Sequence, residues 1–160
     1  MVAEALAVLQ GVKDPEVPVI SVVELGVVRD VEAQGDAVTV TITPTYSGCP
    51  ALQLMERQIA AALRKAGYRE VTVKTVYAPP WTTDWIAPAA REKLRACGIA
   101  PPTPSGEERL VPLGRAFGTI LCPFCASRDT VLRSAFGSTA CKSLHVCRAC
   151  HQPFEHIKAF

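Results

Sequence analysis

Two Cys-x-x-Cys pairs near the end of the chain, Cys122-Pro123-Phe124-Cys125 and Cys147-Arg148-Ala149-Cys150, constrain the fold more than any other feature; 21 residues separate them. Each pair suits a tight turn that aims two sulfurs at one ion, and two such turns complete the tetrahedral four-sulfur shell that zinc favours. An iron–sulfur centre or rubredoxin-like iron is the alternative occupant. Four sulfurs fill the coordination sphere, so the spacing predicts a structural metal and not a catalytic one with an open position. A tail of this size with few large apolar side chains could hardly fold without such a staple. Cys141, within Ser138-Thr139-Ala140-Cys141-Lys142-Ser143, is surplus to the site; it reads as a small residue packed on the ribbon or as a spare thiol near the metal. His145, His151 and His156 fall in the same tail, but four cysteines suffice without them.

Seven cysteines, four of them in pairs, fit metal ligation in a reducing compartment better than a disulfide framework. An apolar content of 49% supports a core, and no apolar run approaches the roughly 20 residues needed to cross a bilayer. The N-terminus has an early acid and no basic leader, so it reads as a helix and not as a signal peptide, and a cytoplasmic protein is expected. Charge is unevenly divided: residues 1–112 hold 11 Lys/Arg against 13 Asp/Glu, and residues 113–160 hold 6 against 2. That mild basicity is satisfied by a solvated surface, which leaves nucleic acid an unneeded partner.

In order along the chain, apolar spacing predicts a helix over residues 2–10 that stops at Gly11. Lys13-Asp14-Pro15-Glu16-Val17-Pro18 follows, with two carboxylates beside a bend. They read either as a metal or partner site or as a turn in which Asp14 caps the segment Val19–Leu25. Val27–Ala33 and Val38–Thr43, joined through Gly35-Asp36, form a hairpin. Its second strand sets Val38, Val40 and Ile42 against three threonines. A helix with Leu52, Met55, Ile59 and Leu63 on one side runs to Gly67, and Arg69–Val76 gives a third strand. The loop Tyr77–Ile86 holds both tryptophans, Trp81 and Trp85, and its two prolines exclude regular structure. It reads as a lid or binding surface, or as a plug for the core. A helix over 88–97 ends at Gly98. The expected organisation is an α+β domain over residues 1–100, a Pro-rich linker over 101–112 and a four-cysteine ribbon over 113–160.

Between the hairpin and the second helix lies Thr43-Pro44-Thr45-Tyr46-Ser47-Gly48-Cys49-Pro50. Pro50 suits a first helical position, which puts Cys49 at the N-cap, where a helix dipole favours a thiolate. A buried cysteine acting as a small hydrophobe is the alternative. The first 112 residues contain no histidine, so Cys49 lacks the imidazole of a papain-like hydrolase unless the tail supplies it.

These segments together, with Leu25-Gly26-Val27-Val28, Pro79-Pro80-Trp81-Thr82-Thr83-Asp84-Trp85 and Gly137-Ser138-Thr139-Ala140-Cys141-Lys142, resemble the PaaD (PaaJ) proteins encoded with the phenylacetyl-CoA epoxidase. The likeness spans nearly the full length. The first hundred residues are similar to the wider SufT-like iron–sulfur assembly family, a small mixed sheet with packed helices in which the cysteine matching Cys49 is the functional residue. The resemblance implies a non-catalytic, cytoplasmic accessory role in phenylacetate catabolism, assisting assembly or repair of an iron–sulfur or di-iron centre. Its partners would be the reductase or oxygenase subunits of the epoxidase, and a homodimer is left open. It also implies transient iron or a nascent cluster at Cys49, with Asp14, Glu16, Thr45, Ser47, Trp81 and Trp85 as a supporting site, and structural zinc on Cys122, Cys125, Cys147 and Cys150. No flavin, nicotinamide or coenzyme A motif and no pair of Glu-x-x-His ligands is present. A Cys49-dependent transferase and a zinc-ribbon adaptor are the competing classes.

Overall fold

Val2–Gln10 forms α1 as its spacing predicts, with Ala5 and Leu9 buried. The computed structural model describes residues 1–102 and 120–158, which fall into two compact units, Met1–Ala90 and Arg91–Phe160. Most of the expected linker, residues 103–112, and the start of the expected ribbon, residues 113–119, lie outside the described residues.

In the first unit β1 (Val28–Gln34) and β2 (Ala37–Ile42) form the expected antiparallel hairpin. Gly35 turns it with φ +59°, a conformation that favours glycine. The chain crosses through α2 (Leu52–Lys65) to β3 (Glu70–Thr75), which pairs parallel with β2, giving the order β1-β2-β3. Both helices serve one face of the sheet. Val38, Val40 and Ile42 of β2 are buried with Met55, Ile59 and Leu63 of α2, while the threonines of β2 are less buried on the other face. Alternation in the strand and the 3.6-residue period in the helix meet on that shared face.

Two local expectations are corrected. The second helix starts later than Pro50. Its N-cap is Ala51, because the Met55 N–H bonds the Ala51 carbonyl (2.9 Å) while the Leu52 N–H closes a shorter turn on the Cys49 carbonyl (3.2 Å). Cys49 therefore precedes the cap by two residues. The tryptophan loop also contains regular structure: one 3₁₀ turn, Thr83–Trp85, whose Asp84 N–H bonds the Thr82 hydroxyl (3.3 Å). The prolines at 79 and 80 lie upstream of this turn and do not obstruct it.

The division between units falls inside α3 (Pro88–Ala96). Among its described residues the second unit holds one four-stranded sheet in the order β4-β7-β6-β5, built from β4 (Ile99–Ala100), β5 (Thr130–Ser134), β6 (Lys142–Cys147) and β7 (Pro153–Ile157). Sequence reading ends the first domain at residue 100, yet Ile99 and Ala100 pair parallel with Glu155 and His156. That pairing joins residues far apart in the chain, and no local pattern encodes it.

Candidate metal centre and Cys49 loop

The two Cys-x-x-Cys segments fold as copies of one turn. In each, the N–H of the first cysteine bonds the carbonyl five residues on: Cys122 to Ser127 and Cys147 to Gln152, both at 3.0 Å. In each, the residue just after the second cysteine takes a positive φ, +57° at Ala126 and +61° at His151. These turns bring Cys122, Cys125, Cys147 and Cys150 together so that their sulfurs all lie within 4.8 Å of one another. Cys122 Sγ stands 3.7 Å from Cys150 Sγ, and Cys125 Sγ 3.6 Å from Cys147 Sγ. A tetrahedron with zinc–sulfur bonds of about 2.3 Å has sulfurs about 3.8 Å apart, so the arrangement fits a four-thiolate ion. No cysteine of the chain is in a disulfide.

The acidities of three of these thiols are shifted by their shared surroundings. The Cys150 N–H, aided by Ala149 and the neighbouring thiols, outweighs desolvation and lowers the Cys147 pKa to about 7. The Ser127 N–H favours the Cys125 thiolate, but burial and the surrounding sulfurs prevail and raise that pKa to about 12. Cys150 is likewise raised: the Gln152 N–H and Cys125 favour its thiolate, but burial with Cys147 and Cys122 prevails. The Cys147 thiolate forms readily while Cys125 and Cys150 resist, as expected of coupled thiols packed against one another. A bound divalent ion would hold all four as thiolates and tie β6 to the segment before β5.

Neither Cys141 nor a histidine joins this cluster among the described residues. Cys141 is buried, with its sulfur 3.1 Å from the Thr139 hydroxyl. His145 stacks on Phe154 (centroids 5.6 Å apart) and meets His156 edge-on at 5.6 Å. Ser143 Oγ lies 3.0 Å from His145 Nε2 and 3.5 Å from His156 Nδ1, while the buried His156 Nε2 has no hydrogen-bond partner among the described residues. Lys142, 3% exposed, pairs with Glu155 at 3.3 Å and donates to Ser138 Oγ at 2.9 Å. Sequence reading did not foresee this buried polar layer; its one signal is the alternation of Ser143, His145 and Cys147 along β6.

In the first unit, register places the remaining candidates at one end of the sheet. β2 and β3 both run out there, at Ile42 and Thr75, and β1 begins there at Val28. The Thr43 N–H bonds the Val27 carbonyl (2.9 Å), so the loop carrying Thr45, Ser47 and Cys49 leaves from beside the turn Leu25-Gly26-Val27. The tryptophan loop is fastened to the same turn: Trp81 Nε1 donates to the Leu25 carbonyl at 3.1 Å. The Arg29 guanidinium lies 3.4 Å from the centroid of the Trp85 ring, a cation–π contact. Gly26 has φ +78°, and a Cβ there would stand 2.6 Å from the Trp85 carbonyl oxygen. Only glycine permits this approach.

Asp14 is buried, and its Oδ1 accepts from the N–H groups of Glu16 (2.9 Å) and Val17 (2.7 Å). This is the capping role that sequence reading weighs against a metal site, although it caps the turn at Glu16–Val17 and not the segment from Val19. Backbone bonds from Asp14 to Ile20 and from Val22 to Val12 lead into the Leu25–Val27 turn. Cys49 is 9% exposed, Trp81 is buried, Glu16, Thr45 and Trp85 are half-buried, and Ser47 is exposed. At the base of the Cys49 loop the Thr43 hydroxyl is buried with no hydrogen-bond partner among the described residues, an unmet polar group that sequence patterning gives no means of seeing.

The comparisons with known proteins follow this division of the chain. The PaaD zinc beta ribbon domain matches residues 109–158, and the iron-sulfur cluster assembly protein family matches residues 3–75. The putative D subunit of the 1,2-phenylacetyl-CoA epoxidase of Escherichia coli (strain K12) is 43% identical over 157 residues, covering 98% of this chain and 92% of that protein. An Fe-S protein maturation auxiliary factor of Porphyromonas gingivalis is 30% identical over 93 residues, 57% of this chain and 88% of its own length. Among solved structures, a DUF59 domain of unknown function from Bacillus anthracis superposes with TM-score 0.54 at 29% identity, covering 58% of this chain and 90% of that one. A conserved hypothetical protein from Thermotoga maritima gives TM-score 0.51 at 31% identity, covering 59% and 93%. The assembly-type first unit, the paired cysteine turns and the nearly end-to-end likeness to the Escherichia coli protein converge: the chain belongs to the PaaD family.

Proposed function

We propose that this protein is a non-catalytic accessory component of a phenylacetyl-CoA epoxidase, assisting assembly or repair of that complex's iron–sulfur or di-iron centre through Cys49. The observation that carries this reading is the convergence of the Cys49 loop, the Asp14 turn and the tryptophan loop on one end of a sheet that belongs to the iron–sulfur assembly type. Cys49 offers a soft sulfur donor on a turn ahead of a helix, with exposed Ser47 and Gly48 beside it, so iron or a cluster could be taken up and released. The first histidine of the chain is His145, so the first unit has no imidazole to activate Cys49 as a nucleophile. That weighs against the transferase reading. In the second unit the four cysteines hold zinc, which fixes the ribbon and leaves no open coordination position. The partners are the reductase or oxygenase subunits of the epoxidase, and the site of action is the cytoplasm. No helix among the described residues is long and apolar enough to cross a membrane.

The test is to produce the epoxidase alongside wild-type protein or Cys49→Ser. Cys49→Ser should fold and keep its tail metal while the epoxidase recovered with it is short of iron and correspondingly inactive. Full metal loading and activity of the epoxidase would overturn the role of Cys49 and leave the ribbon as an adaptor.

A further inference from the structure

Among the described residues two open sheets present four outer edges, and three are blunted. β1 bulges between Val28 and Asp30, β5 bulges between Leu132 and Ser134, and β4 is two residues long. Such devices stop edges from pairing with other chains. β3 has neither a bulge nor a shortened span, and its charged residues are one of each sign, Glu70 and Lys74. Its six residues contain no proline or glycine, keep one-to-one register with β2 and, among the described residues, pair on no other side.

Hydrogen bonding fixes which groups that edge presents. The N–H groups of Glu70 and Val76 bond the carbonyls of Asp36 and Ile42, so even-numbered residues address β2 and Val71, Val73 and Thr75 turn their backbone groups outward. The side chains of Val71 and Val73 share the helix-covered face with Val38 and Val40, yet they are only half-buried where those two are 2% and 0% exposed. With Glu56, Arg57, Ala60 and Arg64 of α2 they line an open groove of about 370 Å³.

We propose that this edge is a homodimer interface in which β3 pairs antiparallel with β3 of a second copy about a two-fold axis through Thr72. The segment Glu70-Val71-Thr72-Val73-Lys74 is self-complementary in that register. Val71 of one copy meets Val73 of the other, and both offer outward N–H and C=O groups, so each pair exchanges two hydrogen bonds. Thr72 meets Thr72. Glu70 stands opposite Lys74 at the close, non-hydrogen-bonded positions, where opposite charges stabilise a pair. Moving the axis to Val73 sets Glu70 against Val76, and moving it to Val71 sets Glu70 against Thr72; either shift discards both ion pairs. The chosen axis makes one six-stranded sheet across the two copies and covers the half-buried valines. This inference is independent of the role of Cys49.

Sedimentation of the full chain tests it. The wild type should sediment as a dimer that dissociates on dilution. Lys74→Glu, which sets two glutamates face to face at each pair, should weaken association roughly tenfold or more. Glu70→Lys combined with Lys74→Glu should restore it, an outcome that mere damage to the fold would not give. If Lys74→Glu fails to fold, cysteine crosslinking decides: under mild oxidation Thr72→Cys should give a disulfide-linked dimer absent from the wild type, and Lys74→Cys should not. A wild type that is monomeric at every concentration, a dimer indifferent to the charge changes, or crosslinking with Lys74→Cys in place of Thr72→Cys would overturn the proposal.

Discussion

In the first unit Leu9, Ile20, Val40, Ile42, Met55, Ile59 and Leu63 are all fully buried, whereas the apolar cluster of the second comprises Ala100, Ile120, Phe154 and two of the four metal-site cysteines. Each large apolar side chain taken out of water contributes about 1.5–3 kcal/mol, so the first unit carries its own stabilisation. The second has far fewer: among the described residues its buried large apolar side chains are Leu94, Ile120, Phe154 and Ile157. Much of its remaining interior is polar: Lys142, Ser143, His145 and His156 are all buried there. The difference teaches that similar amounts of sheet can be held by different means. One unit is held by area removed from water; the other, with less of it, carries a buried polar layer and four thiols grouped where an ion could bind.

The largest expected effect breaks the second unit alone. Removing the metal with a chelator forfeits a binding free energy on the order of 10 kcal/mol, and replacing any one of Cys122, Cys125, Cys147 and Cys150 by serine forfeits part of it. Amide exchange should then show residues 120–158 unprotected while Met1–Ala90 stays protected. Equal protection of both would mean that the ribbon folds without its ion. The reciprocal experiment is Met55→Ala, which should cost the first unit about 2–5 kcal/mol in a denaturant titration and leave the metal content unchanged.

The polar layer gives a pH signature that the apolar core lacks. Burial, with His145 adjacent, lowers the His156 pKa from 6.5 to about 4. The unfolded chain therefore takes up the proton first. The contribution of His156 is complete above about pH 6.5 and is lost as pH falls towards 4, at up to roughly 1.4 kcal/mol per unit. Burial disfavours the Glu155 carboxylate, but the Ser138 N–H and hydroxyl and the Lys142 ammonium outweigh it, so its pKa lies below the ordinary value and its contribution disappears in more acid solution. Urea midpoints of the metal-loaded protein should fall across this window, and His156→Gln should flatten the fall between pH 6.5 and 4. An identical slope in the variant would assign the acid sensitivity to the thiolates.

Two smaller substitutions sharpen the comparison at the backbone. Gly26→Ala forces a Cβ into the Trp85 backbone at φ +78° and should destabilise the first unit by about 1–3 kcal/mol, read as a lower thermal midpoint. Ala126→Gly does the reverse in the ribbon. Relieving φ +57° at a non-glycine residue should leave stability unchanged or raise it by up to about 1 kcal/mol. A marked loss would show that the turn depends on the Ala126 methyl group.

Local chemistry alone determined much of this protein. The period-two alternation in Val38–Ile42, the helical stripe through Met55, Ile59 and Leu63, and the two cysteine pairs were each legible, because each pattern lies within a short stretch and has one physical solution. Tertiary structure decided what depends on partners distant in sequence. It placed Ile99–Ala100 beside β7, buried Lys142 against Glu155, and left β3 as the unblunted edge. It moved the start of α2 past Cys49, since a helix begins where a backbone bond of full span first closes and not at the nearest proline. It also brought the Asp14, Cys49 and tryptophan segments to one end of a sheet, because strand register sets where loops meet and register is a property of the assembled sheet.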